Sequence, residues 1–186
     1  MPLDSLRELL VEELKDIYNA EKQITKALPK VIRATKNGQL REALSDHLAE
    51  TEQQIVHLER VFALLGENSG RKKCAAMEGI LEEGSELIKE KGAPSVKDAA
   101  LIGACQAVEH YEIARYGTVA TWAELLGLDE VKEILGEILS EEKAADEKLT
   151  EIAESVVNEA AALEHGDDEE EAPARKAPAR KTPARR

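Results

Sequence analysis

The feature that most constrains this fold is a carboxylate set where a core residue belongs, and it occurs three times. Leu10, Leu14, Ile17, Glu21, Ile24, Leu28 and Val31 recur every three or four residues, the apolar stripe of a long amphipathic helix. Leu101, Cys105, Val108, Glu112, Tyr116 and Val119 form a second stripe, and Val131, Leu135, Ile138, Glu142, Ala145 and Leu149 a third. Each carries a glutamate near its centre. A carboxylate taken out of water is costly unless it is paired or binds a metal. The chain therefore needs long helices whose inward acids share a partner, and a metal site inside a helical bundle meets that need.

Composition agrees with helices. The chain is rich in Ala, Leu, Glu, Lys and Ile, and has one Trp, three Tyr and one Phe. Its 186 residues suffice for one domain with a real core. Before the tail the only prolines are Pro2, Pro29 and Pro94. No apolar run approaches the ~20 residues of a membrane span. The N-terminus is already charged and amphipathic, unlike a signal peptide, so the expected location is cytoplasmic. Cys74 and Cys105 do not suggest a disulfide framework; Cys105, on a core stripe, reads as a small buried hydrophobe.

Stop and start signals divide the chain. A first helix starts at Asp4 or Ser5, where Ser5 and Glu8 have capping-box spacing, and runs to about Lys36, where Asn37-Gly38 ends it. Pro29 should kink it. A second helix spans about Gln39 to Leu65 and stops at Gly66. Residues 67–74 read as a loop, and 75–91 as a shorter helix weakened by Gly79 and Gly84. A third long helix starts at Ser95, with Asp98 as its box partner, and reaches Leu126. Gly127 turns the chain into a fourth that runs to Leu163. The first and last pairs are joined by short connections and should be antiparallel; the middle connection is long and carries its own helix. The expected fold is all-α, a ferritin-like four-helix bundle over residues 1–163.

Residues 164–186 form a different segment. Three repeats, PARKA, PARKT and PARR, follow an acidic run, and such a sequence should be disordered. Six acids (Glu164, Asp167, Asp168, Glu169, Glu170, Glu171) cancel six bases (Arg175, Lys176, Arg180, Lys181, Arg185, Arg186), so the helical part carries the whole net charge of −13. Such a body should attract cations and repel nucleic acid.

At ~100° per residue, Glu21, Glu112 and Glu142 sit near the centres of their stripes. Glu109 lies one turn before Glu112 and Asp146 one turn after Glu142, each nearer the stripe edge. On the second helix Leu40, Leu44, Thr51, Ile55, Leu58 and Phe62 define the stripe; His47 and Gln54 flank it, and Glu50 lies further round. Periodicity favours His47 over Glu50 as inward-facing. Several carboxylates with an imidazole suit a pair of divalent metals, iron or manganese. The structural alternative is that Arg115, water or an interface satisfies these acids. His57 should face solvent, and His110 is either a partner of the ligands or a surface residue. Tyr18 and Tyr111 could bond a ligand carboxylate, though packing is the simpler role for both.

Four segments, LVEELKDIYNAEKQITKALPK, DHLAETEQQIVHLERVFALLG, AVEHYEIARYGTVATWAELLG and SEEKAADEKLTEIA, occur in order and resemble the helical signatures of the YciE/YciF family of bacterial stress proteins. The resemblance covers residues 3–160. It implies a ferritin-like bundle, usually a homodimer, with a rubrerythrin-like dinuclear metal centre. Carried over, it implies Glu21, Glu50 with His47 beside it, Glu109, Glu112, and Glu142 with Asp146 nearby. The chain departs from the wider superfamily in having no Glu-x-x-His motif: Gln53 follows Glu50 and Ala145 follows Glu142 at that spacing.

Three functions compete on these residues. One is a di-metal redox protein of stress defence that reduces peroxide or oxygen. The second is a non-enzymatic metal-binding stress protein. The third is a nucleic-acid-associated protein acting weakly through residues 172–186, against which a solubilising tail is the simpler reading.

Overall fold

The computed structural model describes residues 4–164. The expectations for the acidic run and the PARK repeats fall outside them. Helix α1 spans Leu6–Ala34, α2 Gly38–Leu65, α3 Ala75–Lys89, α4 Pro94–Leu125 and α5 Asp129–Ile152; a π-helical turn, Ala153–Val157, leads into α6, Asn158–Leu163. Among the described residues there is no strand, and no helix is long and apolar enough to cross a membrane.

Local signals explain most boundaries. Ser5 Oγ accepts from the Glu8 N–H, while the Glu8 carboxylate reaches past the cap to accept from the Asp4 N–H. Helix α2 ends on Gly66 with φ 68°, a left-handed conformation that glycine adopts without steric cost. Pro29 lies within α1, which runs on through it to Ala34.

Four expectations are corrected. Asn37 does not stop the first helix; its side chain accepts from the Leu40 N–H and starts α2. Helix α4 begins at Pro94 rather than Ser95, because proline's missing N–H costs nothing in a first turn. Asp98 does not cap its own helix. Its carboxylate takes the N–H groups of Lys36 and Asn37 and pins the α1–α2 corner to the start of α4. The last helix is not continuous, since the π-helical turn interrupts it; Ala153 and Val157 of that turn bury against Ile102 and Leu149.

Helices α1, α2, α4 and α5 form the bundle, and α3 lies in the long crossover against α1 and α4. Side-chain contacts fix the directions. Arg7 donates to Leu65 O and Tyr18 to Glu59, so α1 and α2 are antiparallel. Gln54 reaches Glu141 and Arg60 reaches Glu130, so α2 and α5 are antiparallel. Gln106 reaches Thr150 from α4 to α5, and Arg115 reaches Glu13 from α4 to α1. Every adjacent pair is therefore antiparallel, which the long crossover permits.

The core comes in two parts. One holds Leu10, Leu14, Ile17, Leu58, Phe62, Tyr116, Val119, Leu135 and Ile138. The other holds Ile24, Leu28, Leu40, Leu44, Cys74, Met77, Ile102, Cys105, Val108, Leu149 and Ile152. Each fully buried large aliphatic contributes roughly 1.5–3 kcal/mol. Both cysteines are buried and free. Between the two parts, at one level of all four bundle helices, lies a polar layer.

Candidate metal centre

Each bundle helix supplies that layer from the gap in its own stripe. Helix α1 gives Glu21 between Ile17 and Ile24. Helix α2 gives His47, Thr51 and Gln54 between Leu44 and Leu58. Helix α4 gives Glu109 and Glu112 between Val108 and Tyr116, and α5 gives Glu142 between Ile138 and Leu149. Glu21 and Glu142 are 0% exposed, Glu109 and Glu112 1%, and His47 7%. One ligand atom from each of His47, Glu109, Glu112 and Glu142 lies within 4.8 Å of the others.

The layer is short of donors. Glu21 Oε2, Glu109 Oε2, Glu112 Oε1 and both oxygens of Glu142 are buried without a hydrogen-bond partner, as are Gln54 Oε1 and both nitrogens of His47. His47 Nε2 stands 3.2 Å from Glu109 Oε1 but lacks hydrogen-bonding alignment. Such orphans are rare in folded proteins because each forfeits its hydration uncompensated. Arg115 does not relieve them: it pairs with Glu13 at 3.1 Å and lies over the Tyr111 ring. Among the described residues, the one hydroxyl that donates to these acids is that of Tyr116, which bonds Glu21 Oε1.

Electrostatics follow from this crowding. Burial pushes the Glu21 carboxyl up to about 7, against the opposing bond from Tyr116. Burial, then the charges of Glu21 and Glu109, push Glu142 up to about 10. Glu112 is raised well above the ordinary range by burial and by the charges of Glu21, Glu142 and Glu109. For His47, burial disfavours the imidazolium, but the carboxylates of Glu109 and Glu50 outweigh it and raise the ring to about 11. Without a metal, then, the layer holds protons that a cation could displace.

The other residues singled out from sequence lie elsewhere. The Glu50 side chain is 51% exposed, with Oε2 3.9 Å from His47 Nδ1. Asp146 is partly buried and accepts from Gln106 at 3.1 Å. His110 is exposed, 3.2 Å from Asp146. His57 does not simply face solvent: it is half-buried, with Nδ1 enclosed. Tyr18 donates to Glu59 and packs edge-on against Phe62, and Tyr111 donates to Asp16 beside the Cys74 thiol, so neither hydroxyl is spent on the layer. Two further residues contribute. Tyr116 is a stripe member by sequence, and its hydroxyl is the one polar signal it carries there. Gln54 was placed at a stripe edge; it donates to Glu141 at 3.0 Å and keeps its carbonyl oxygen unpaired.

A hard, oxygen-rich donor set with one imidazole, buried and short of hydrogen-bond donors, could hold a metal ion. Lone-pair acceptors converge there, and among the described residues no side-chain cation other than His47 reaches them.

Comparison with known proteins adds lineage. The family model described as a domain of unknown function, DUF892, matches residues 5–162. Protein YciF of Escherichia coli (strain K12) is 47% identical over 165 residues, which cover 87% of this chain and 98% of that protein. The crystal structure of the E. coli stress protein YciF matches with a TM-score of 0.81 over 83% of this chain and 98% of its own. YcfI of Rhodopseudomonas palustris, proposed there to be structural, gives 0.77 at 47% identity over 80% and 94%. A protein of Xanthomonas campestris gives 0.66 at 26% identity over 83% and 94%.

Proposed function

The chain belongs to the DUF892 family, with the stress protein YciF among its relatives, and from that premise we propose that it is a ferritin-like di-metal protein of stress defence. In this reading Glu21, His47, Glu109, Glu112 and Glu142 hold two ions of iron or manganese. The observation that carries it is the set of buried carboxylate oxygens without partners. Two such ions, when bound, would supply paired one-electron steps, which suits reduction of peroxide or oxygen.

The chain's own residues prepare that chemistry. Burial of the layer between two apolar core halves excludes water from the acids. Tyr116 holds Glu21 by Oε1, so that Oε2 is left for a ligand. The raised Glu142 carboxyl holds a proton at neutral pH, and a bound cation would take that proton's place in offsetting the layer's charge. A homodimer belongs to the same reading. Leu125, 71% exposed, and Val56 and Leu64 offer apolar surface for a second copy, whereas Ile102 is covered within the chain.

A second reading, metal binding without turnover, is favoured by one feature: a single histidine serves the layer and no Glu-x-x-His motif is present. The proposed structural role of the R. palustris relative is compatible with it. Elemental analysis of protein purified without chelator tests the shared premise, with about two metals per chain expected. Added hydrogen peroxide then separates the readings. Sustained consumption supports defence by turnover; one stoichiometric bleach supports sequestration.

A further inference from the structure

His47 has two faces, and only one belongs to the buried layer. Its Nε2 lies 3.2 Å from Glu109, inside. Its Nδ1 lies 3.9 Å from the half-exposed carboxylate of Glu50. Neither nitrogen has a hydrogen-bond partner, and the residue is 7% exposed. A cleft of about 730 Å³ between α2 and α5 reaches both His47 and Glu109. Glu42, Asp46, Glu50, Glu141 and Glu151 line it, and Lys148 is the only lysine or arginine among its lining residues. That lysine is taken up by Glu151 at 2.8 Å. Glu42 also feels that lysine across the cleft and Glu50 faces His47, so five acids share one lysine and one imidazole.

A second cleft, about 430 Å³, runs beneath α3 to the same two residues. Its walls are mostly apolar, with Ile24, Leu28, Leu81 and Leu101, and its outer acids, Glu78 and Glu82, are matched in number by Lys26 and Lys30. A divalent cation shedding water there would meet hydrocarbon and two ammonium groups, whereas in the acidic cleft each lost water can be replaced by a carboxylate oxygen. The two routes are therefore unequal for a cation.

We propose that Glu50, set beside His47 Nδ1, forms a capture site at the inner end of the α2–α5 cleft, through which divalent cations reach the buried acids. Glu50 then serves loading and is not a resident ligand. The cleft acids raise the local concentration of cations, Glu50 replaces part of the hydration shell, and the imidazole links the capture site to Glu109 behind it. This inference rests on the metal-centre reading and adds the route by which that centre fills.

The test is rapid mixing of the full chain with cobalt(II), followed by its visible absorption, for wild type, Glu50→Gln and the double variant Glu42→Gln/Asp46→Asn. In Glu50→Gln, association should slow about tenfold, the low end of what a charged cleft contributes, with cobalt per chain at equilibrium unchanged. The double variant should slow less, and its rate should depend less on salt than that of wild type. An unchanged rate in Glu50→Gln overturns the capture site. A loss of bound cobalt at equilibrium in Glu50→Gln also overturns it, by making Glu50 a resident ligand. Absence of uptake by wild type overturns the metal-centre reading itself.

Discussion

Two buried acids of this molecule, Asp98 and Glu142, look alike by exposure, at 2% and 0%, and differ in everything else. Asp98 accepts from the Lys36 N–H at 2.9 Å and from the Asn37 N–H at 2.6 Å. Its charge is consumed in holding the α1–α2 corner against the start of α4. Glu142 has no donor on either oxygen. Burial alone therefore does not mark a functional acid. A buried acid supplied with donors is architecture; one left without them keeps lone pairs open to a ligand.

The sharpest way to break that comparison is to remove each acid in turn. Asp98→Ala should leave the N–H groups it satisfies without a partner and cost about 3 kcal/mol, equally with chelator and with metal. Urea unfolding in both conditions measures this, and a cost that vanished with metal would erase the distinction. Adding iron or manganese to wild type at about a hundred times Kd should stabilise the fold by ~2.7 kcal/mol. Glu142→Ala should lose most of that gain, yet its chelated form should be no less stable than chelated wild type, because a buried carboxyl with no hydrogen-bond partner on either oxygen has gone. Thermal melts of both proteins in both conditions read the two effects together.

A smaller effect should appear with pH. Glu21 and Glu142 hold their protons to about 7 and about 10 when folded, whereas unfolded glutamates release theirs near 4.3. Between those limits the folded chain binds more protons than the unfolded one, so its stability falls as pH rises. His47, raised to about 11, acts in the same direction above about 6.5, the ordinary histidine value. Chelated protein should therefore melt lower at pH 8 than at pH 5.5, by on the order of 5 °C, and Glu142→Ala should flatten that slope. Metal should oppose it, since binding releases the protons and strengthens as pH rises. A chelated melting temperature that climbed between those pH values would contradict the account of the layer.

The smallest change sharpens the comparison inside the layer. Tyr116→Phe removes the single donor to Glu21 and should cost about 1 kcal/mol in chelated protein. Metal should offset much of that loss by occupying the freed oxygen. Equal losses with and without metal would make Tyr116 a packing residue.

Much of this could be read along the chain. The stripes located every bundle helix, Ser5 and Gly66 marked two of the ends, and Glu21, Glu112 and Glu142 stood out as acids among aliphatics. His47 was legible as inward-facing for the same reason. The errors fell where a side chain serves an element far from it in sequence. Asp98 has cap spacing within its own helix but bonds backbone 61 and 62 residues away. Tyr116 was legible as core but not as the donor to Glu21, 95 residues distant.

Periodicity is a property of one helix, and the sequence by itself determined what each helix turns inward: its apolar stripe and the acid that interrupts it. It also determined chain reversal at the short connections, through the caps and glycines that end one helix and start the next. Only the tertiary structure decided that the four interruptions meet at one level between two apolar core halves, leaving Glu50 at a cleft and Asp146 with Gln106. The reason is geometric. A residue's azimuth on its helix follows from its position in the chain, but its height beside the other helices depends on how those helices slide and pack. Whether a buried oxygen finds a donor is settled at that height.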